Sequence, residues 1–286
     1  MSGPDSTTFG ARLHAAMADR APLCVGIDPH PGLLDAWGLP DTPGGLESFA
    51  LTVAEALADR VAAIKPQSAF FERHGSRGVA VLERTLGTIH EAGGLSVLDV
   101  KRGDIGSTAQ AYADAYLDPR SPLAADAITA SPYLGFGSVD PMLDTAERHG
   151  KGVFVLALTS NPEAPPLQHA RTAAGPTVAG EVLQQLARRN AGASPLGSFG
   201  AVVGATIGEP GEGEELAIGG PLLVPGIGAQ GGTAADVRRI FAGCLDLVLP
   251  SSSREVLRAG PGLDALRGAA ERAGAEFAAL RRGAGS

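Results

Sequence analysis

The chain has 286 residues, a formal net charge of −8, 44% hydrophobic residues and 5% aromatics. That is enough apolar sequence for one large core packed mainly by Ala, Val and Leu, and α/β barrels reach this length as a single domain. No basic block supplies the many phosphate-neutralising side chains of extended nucleic-acid binding, and no apolar run nears the roughly 20 residues of a membrane helix. A small anionic ligand remains compatible, because one or two placed cations and backbone N–H groups suffice for it.

The N-terminal run MSGPDSTTFGARLHAAMADR lacks the basic-then-apolar order of a secretory signal. Within it, Phe9, Leu13, Ala16 and Met17 recur at helical spacing and predict a short helix over 7–20. LCVGID (23–28) reads as a buried strand ending in Asp28. Cys24 lies inside it and Cys244 lies far away in sequence, a pattern expected of reduced, buried thiols in a cytoplasmic protein. A helix is expected over 46–59, a strand over 61–65 ending in Lys65, and a helix over 77–92. His30 and Trp37 fall in the loop region after the first strand, where packing and loop roles are expected.

The stretch from Leu95 to Thr108, LSVLDVKRGDIGST, begins as a strand and then fills with charge. Residues two apart in a strand share a face, so Asp99 and Lys101 are expected side by side. Asp104 follows the Gly103 break and is free to reach elsewhere. A lysine held by carboxylates at a strand end suits a site that needs a protonated amine. A helix near 108–117 follows, with Ser107 and Thr108 as expected N-caps.

Strands are then expected at 126–130, 152–158, 199–205, 221–227 and 245–250. Helices are expected at 139–149, 177–192 and 233–241, with helical sequence from 252 to 280. The segment 159–177 is long, rich in Pro, Ala and Gly, and of the kind that is usually functional or disordered. Residues 208–217 read as a polar turn with a short helix at most. Eight apolar strands alternating with helices predict a parallel sheet, closed as a (β/α)8 TIM barrel forming one domain over 1–286, with an open doubly wound sheet as the alternative. The barrel is favoured because Asp28, Lys65 and the Asp99/Lys101 pair all fall at strand C-termini, where barrels carry their chemistry.

Gly226, Gly228 and Gly231 in PGIGAQGG have the spacing of a dinucleotide fingerprint. Only about 60 residues follow, too few for the rest of such a domain. The phosphate-binding capacity of a Gly-rich loop survives that rejection, and barrels often seat phosphate after strands seven and eight. SSSR after strand eight offers Arg254, a forked donor suited to phosphate.

The run LDVKRGDIGSTA contains D-x-K-x-x-D and resembles the signature of the orotidine 5′-phosphate decarboxylase family, in its bacterial type 2 branch. GIDPHP, IKPQSAFFE, SPYLG, LALTSNPE, VPGIGAQGG and SSSRE extend the resemblance over most of the chain. Three positions depart from the pattern: Val100 for a small Ala, Ser131 for Asn, and Gly137 for a polar residue.

The resemblance implies cofactor- and metal-independent decarboxylation of orotidine 5′-monophosphate to UMP in pyrimidine biosynthesis. It implies Lys101 as the proton donor, held by Asp99 and Asp104, with Lys65 completing the charge network. Asp28 and Lys65 would bind ribose hydroxyls, Thr159 and Ser160 the pyrimidine edge, and Gln230 and Arg254 the phosphate, with the Gly228 and Gly231 backbone nearby. Segment 159–177 would close over the ring. Asp104, Ile105 and Thr108 would reach into a neighbouring subunit, giving a homodimer with shared sites. Alternatives are a magnesium-dependent sugar-phosphate decarboxylase or aldolase-like barrel, and a non-catalytic phosphate-ligand sensor.

Overall fold

The structure is a computed structural model that describes residues 8–228 and 231–282. Eight strands form one parallel sheet: β1 (Ala21–Ile27), β2 (Val61–Pro66), β3 (Val97–Arg102), β4 (Ala127–Ala130), β5 (Gly152–Leu158), β6 (Phe199–Val203), β7 (Leu222–Val224) and β8 (Val248–Ser252). Their order is β2-β1-β8-β7-β6-β5-β4-β3. The two end strands meet through the bridges Ile64–Ser96 and Gln67–Asp99, and the Ile64 N–H donates to the Leu95 carbonyl at 2.8 Å. The sheet is therefore a barrel, as expected, and the β2–β3 seam is its lightest ladder.

The strands are buried almost throughout because helices cover their outer faces. Leu46, Phe49, Val53 and Leu57 bury one face of helix Pro43–Leu57, and Val81, Leu82, Leu86 and Ile89 do so on Gly75–Glu91. A second apolar cluster gathers Phe9, Leu13 and Met17 of helix Phe9–Asp19 with Cys24, Val97, Phe154 and Leu249 of the strands. Phe9 meets Phe154 edge-on, with ring centroids 6.0 Å apart. Arg12 locks the helix in place by donating to Asp126 Oδ1 at 2.6 Å and to the Gly150 carbonyl at 3.1 Å. This helix plugs the end of the barrel where the strands begin. The end where they finish is left for chemistry.

Trp37 packs as expected: its ring lies 4.3 Å from that of Phe49 and its Nε1–H donates to the Leu257 carbonyl at 2.9 Å. Both cysteines are free and buried. Among the described residues no helix is long and apolar enough to cross a membrane.

Several boundaries differ from expectation for local reasons. Helix Gly106–Leu117 starts at Gly106, with Ile105 at its N-cap and no side-chain cap, so Ser107 and Thr108 sit in its first turn. Residues 245–247 form a 3₁₀ turn, and β8 runs on through Ser251 and Ser252. The C-terminal helical sequence divides into Arg254–Leu257 and Leu263–Arg282 around Gly260-Pro261. Segment 159–177 carries its own short helix, Pro165–Gln168.

The plug is tightly fitted. A Cβ on Gly152 would lie 2.3 Å from a Phe9 ring carbon. Gly152→Ala is expected to destabilise the protein by about 1–3 kcal/mol through overpacking. Urea unfolding of the variant measures the loss, and an unchanged midpoint would mean that Phe9 moves aside freely.

Candidate active site

Asp99 is the last buried residue of β3 but one, and its carboxylate is fully engaged. Oδ1 accepts from Lys101 Nζ at 2.5 Å and from Thr129 Oγ1 at 2.8 Å. Oδ2 accepts from Lys65 Nζ and from Gln67 Nε2, both at 2.9 Å. Each oxygen thus holds one ammonium and one neutral donor. Lys65, from β2, is as deeply buried as Asp99, whereas the Lys101 side chain is 45% exposed.

Burial pushes the Asp99 carboxyl up, but Lys65 and then Lys101 pull it down further, so it is held well below the usual carboxylate range. Burial acts against the Lys65 ammonium, yet Asp99 and then Asp28 outweigh it and hold the group above the ordinary lysine value. Cys24, beneath this cluster, is pushed up to about 12 chiefly by burial, which keeps it a thiol.

Lys101 reaches its partner through an irregular strand. Pairing of β3 with β4 slips between Leu98 and Arg102, and Lys101 has φ +45°, the only positive value at a non-glycine among the described residues. Such a conformation costs on the order of 1–3 kcal/mol and persists only where surroundings enforce it. Thr129 supplies part of that enforcement, since its Oγ1 accepts the Lys101 backbone N–H at 2.9 Å.

The cluster lies in a cleft of about 290 Å³ lined by Asp28, His30, Lys65, Gln67, Asp99 and Lys101 together with Pro225–Ile227 and Ser253–Arg254. Asp28 Oδ1 is buried without a hydrogen-bond partner. Arg254 makes no ion pair among the described residues, and it opens a helix directly beside Ser253. A Cβ on Gly26 would fall 2.1 Å from Ser253 Oγ and 2.8 Å from Asp28 Oδ2, so the missing side chain lets these two groups approach. A second cleft of about 400 Å³ adjoins across Pro225 and is lined by Thr159, Ser160, Asn161 and Gly204.

Thr159 is held at the root of segment 159–177. Its N–H donates to Gln168 Oε1 and Gln168 Nε2 donates to Thr159 Oγ1, each at 2.8 Å. The next residue, His169, places Nδ1 2.8 Å from Oε1 of buried Glu214, tying this loop to the one after β6.

The structure therefore gathers Asp28, Lys65, Asp99, Lys101 and Arg254 around one cleft, with Thr159 and Ser160 beside it. It does not bring Asp104 to Lys101 within the chain. Asp104 Oδ1 accepts from the Ile105 N–H at 2.8 Å, and Ile105 and Thr108 are exposed on the same outward segment. The Gly-rich loop also departs from expectation. Gly228 and Gly231 have positive φ, but the Gly228 N–H donates to the Gly232 carbonyl and the Gly231 N–H to the Gly228 carbonyl, so these two amides are used within the turn. The cleft wall is formed instead by Gly226 and Ile227. Gln230 lies outside the described residues. The helix that follows caps itself, with Thr233 Oγ1 accepting from the Asp236 N–H and Asp236 accepting from the Thr233 N–H.

Gln67 and Thr129 were not assigned roles from sequence. Each had a signal: Gln67 lies two residues beyond Lys65, and Thr129 is the polar residue inside the apolar run AITA. The three departures are accommodated. Val100 is buried, the Ser131 carbonyl lies where only a glycine fits at Gly103, and Gly137 sits in a 3₁₀ turn.

Comparison with known proteins adds the following. The sequence profile described as "Orotidine 5'-phosphate decarboxylase / HUMPS family" matches residues 21–269. The chain is 68% identical over 253 residues to orotidine 5′-phosphate decarboxylase of Nocardioides sp., covering 87% of this chain and 92% of that protein. It is 63% identical over 276 residues to that of Salinispora arenicola, covering 96% and 99%. A Streptomyces avermitilis crystal structure provisionally named orotidine 5′-phosphate decarboxylase superposes with TM-score 0.94 at 56% identity, covering 98% of each chain.

The Lys65–Asp99 pair makes stability depend on pH at both ends. Asp99 is depressed below 3.8, so its contribution is complete above that value and is lost as pH falls toward the folded value. Lys65 is raised above 10.5, so its contribution is complete below that value and is lost as pH rises through the folded value. Removing one partner leaves a buried charge, so Lys65→Ala is expected to cost about 3–5 kcal/mol near neutral pH. Urea unfolding between pH 3 and 11 should show wild type keeping this margin between 3.8 and 10.5 and beginning to lose it beyond those values at either end (about 1.4 kcal/mol per pH unit). A variant with the same midpoint as wild type at pH 7 would refute the coupling.

Proposed function

The chain belongs to the orotidine 5′-phosphate decarboxylase / HUMPS family, and we propose that it converts orotidine 5′-monophosphate to UMP and CO₂, the last step of de novo pyrimidine nucleotide synthesis. The observation that carries this reading is Asp99, shared between buried Lys65 and cleft-facing Lys101.

In this reading Arg254 pairs with the substrate phosphate and Asp28 and Lys65 meet the ribose hydroxyls. Thr159 and Ser160 address the pyrimidine edge. The bond between C6 and the carboxylate breaks, CO₂ departs, and the electron pair remains on C6. The Lys101 ammonium delivers its proton there and becomes an amine, which regains a proton from solvent at its exposed side. Lys65, Asp99 and Lys101 present fixed charge to the developing carbanion, and such preorganised charge is the largest contribution in many enzymes. Asp99 also faces the departing carboxylate, whose charge is lost in the step. Binding energy from the distant phosphate drives closure of segment 159–177. Each Asp99 oxygen already accepts two N–H or O–H donors, two of them from the lysine ammoniums that the proposed reaction uses.

The reading includes a homodimer. Asp104, Ile105 and Thr108 serve the cleft of a second copy. Supporting this, Asp104 makes no ion pair among the described residues, and the neighbouring loops expose Ile105, Tyr133 and Leu134, each at 54% or more. A cytoplasmic setting belongs to the same reading and rests on two buried free thiols.

Metal-free protein is expected to bleach the absorbance of added orotidine 5′-monophosphate, and Lys101→Ala is expected to abolish the reaction while still binding UMP. Turnover within tenfold of wild type in that variant would overturn Lys101 as donor. Mixing inactive Lys101→Ala and Asp104→Ala subunits should restore part of the activity, because one hybrid site then carries both native residues. Mixed dimers that form and stay inactive would return Asp104 to its own chain.

A further inference from the structure

We propose that Thr129 is a positioning residue for the reaction, acting through the Asp99 carboxylate and the Lys101 main chain; this rests on the decarboxylase reading above. Thr129 lies near the end of β4 and is 1% exposed, so it does not itself meet a ligand. Its hydroxyl has one proton, which goes to Asp99 Oδ1 at 2.8 Å. Its oxygen accepts the Lys101 N–H at 2.9 Å. One atom therefore fixes both the acceptor of the Lys101 ammonium and the backbone from which that ammonium springs.

The reason lies in the strand. β3 and β4 pair regularly at Val97–Ala127 and Leu98–Ile128, and pairing resumes only at Arg102–Ala130. Three residues of β3 thus stand against one of β4, and that one is Thr129. Within the slip the Lys101 N–H bonds to this hydroxyl in place of a carbonyl of the neighbouring strand, and Lys101 takes its left-handed conformation. Gln67 completes the opposite carboxylate oxygen but touches nothing in the Lys101 backbone. Among the described residues only Thr129 joins the two halves of the proton-delivery geometry.

Thr129→Val keeps the shape and removes both bonds, while Thr129→Ser keeps the hydroxyl. Misplacement of a reacting group by about 1 Å can cost a hundredfold, so Thr129→Val should lower kcat about 10- to 100-fold with KM within about threefold, and Thr129→Ser should stay within about threefold in both. A role confined to folding would lower the thermal midpoint without this kcat-against-KM split. A second measurement needs no turnover: labelling of Lys101 by trinitrobenzenesulfonate in ligand-free protein, read by peptide mass spectrometry. It should change severalfold in Thr129→Val and stay near the wild-type rate in Thr129→Ser. Labelling at the wild-type rate in folded Thr129→Val overturns the proposal, as does kcat within about twofold of wild type. If wild-type protein fails to decarboxylate the substrate, the activity reading falls, and the labelling comparison still decides the role of Thr129.

Discussion

The Asp99 carboxylate is the point on which both the barrel and its site depend. A buried carboxylate alone would take up a proton. Here two ammoniums keep it charged, and it in turn keeps the Lys65 ammonium charged in a place where burial acts against it. The pair crosses the β2–β3 seam, where the sheet ladder is reduced to isolated bridges. Lys65 and Gln67 from one side of the seam and Lys101 and Thr129 from the other converge on the same two oxygens. The interaction that draws the seam together is therefore the same one that assembles the charge cluster. A substitution there disturbs the seam and the charge cluster together.

What the cleft leaves unsatisfied is as informative as what it satisfies. Asp99 has no remaining acceptor capacity to offer a ligand. Asp28 retains a buried oxygen without a partner, and Arg254 has no ion pair among the described residues. Both line one cleft together with Ser253. A ligand with hydroxyl donors at one end and an anion at the other would complete both. The helix after the Gly-rich loop caps itself, so in the proposed reading Arg254 is the cation left in the cleft for the phosphate.

The strand ends were legible in sequence because an apolar run that closes on a charge leaves few alternatives: Asp28, Lys65 and Asp99 all lie where the alternation of strands and helices put them. Thr129 and Gln67 were harder to see, because a threonine or glutamine near a strand end is ordinary until its neighbour across the sheet is known. The slip in β3 was not legible, since nothing in DVKR signals a left-handed lysine. The glycine spacing after β7 suggested a phosphate-binding loop, whereas the structure shows a turn with positive φ at Gly226, Gly228 and Gly231 that uses the Gly228 and Gly231 amides itself. Which amides that turn would keep for itself depends on its closure, which spacing does not encode. The helix start at Gly106 shows the same limit, because Ser107 and Thr108 are good caps that the backbone passes by.

Two lysines hold one carboxylate, and burial divides their work. The Lys65 and Asp99 side chains are each 8% exposed, whereas Lys101 is 45% exposed. A group that is mostly buried and held by a carboxylate serves as fixed charge. A group open on one side can give up a proton into the cleft and recover it from water. A regular strand would carry residue 101 onward at about 3.3 Å per residue on the same face as Asp99. The turn to positive φ redirects the chain at that residue, so that Lys101 keeps its hold on Asp99 and still faces the open cleft. The strained residue is thus the one whose exposure differs from the rest of the cluster, which is why the proposed reaction draws its proton from Lys101 and not from Lys65.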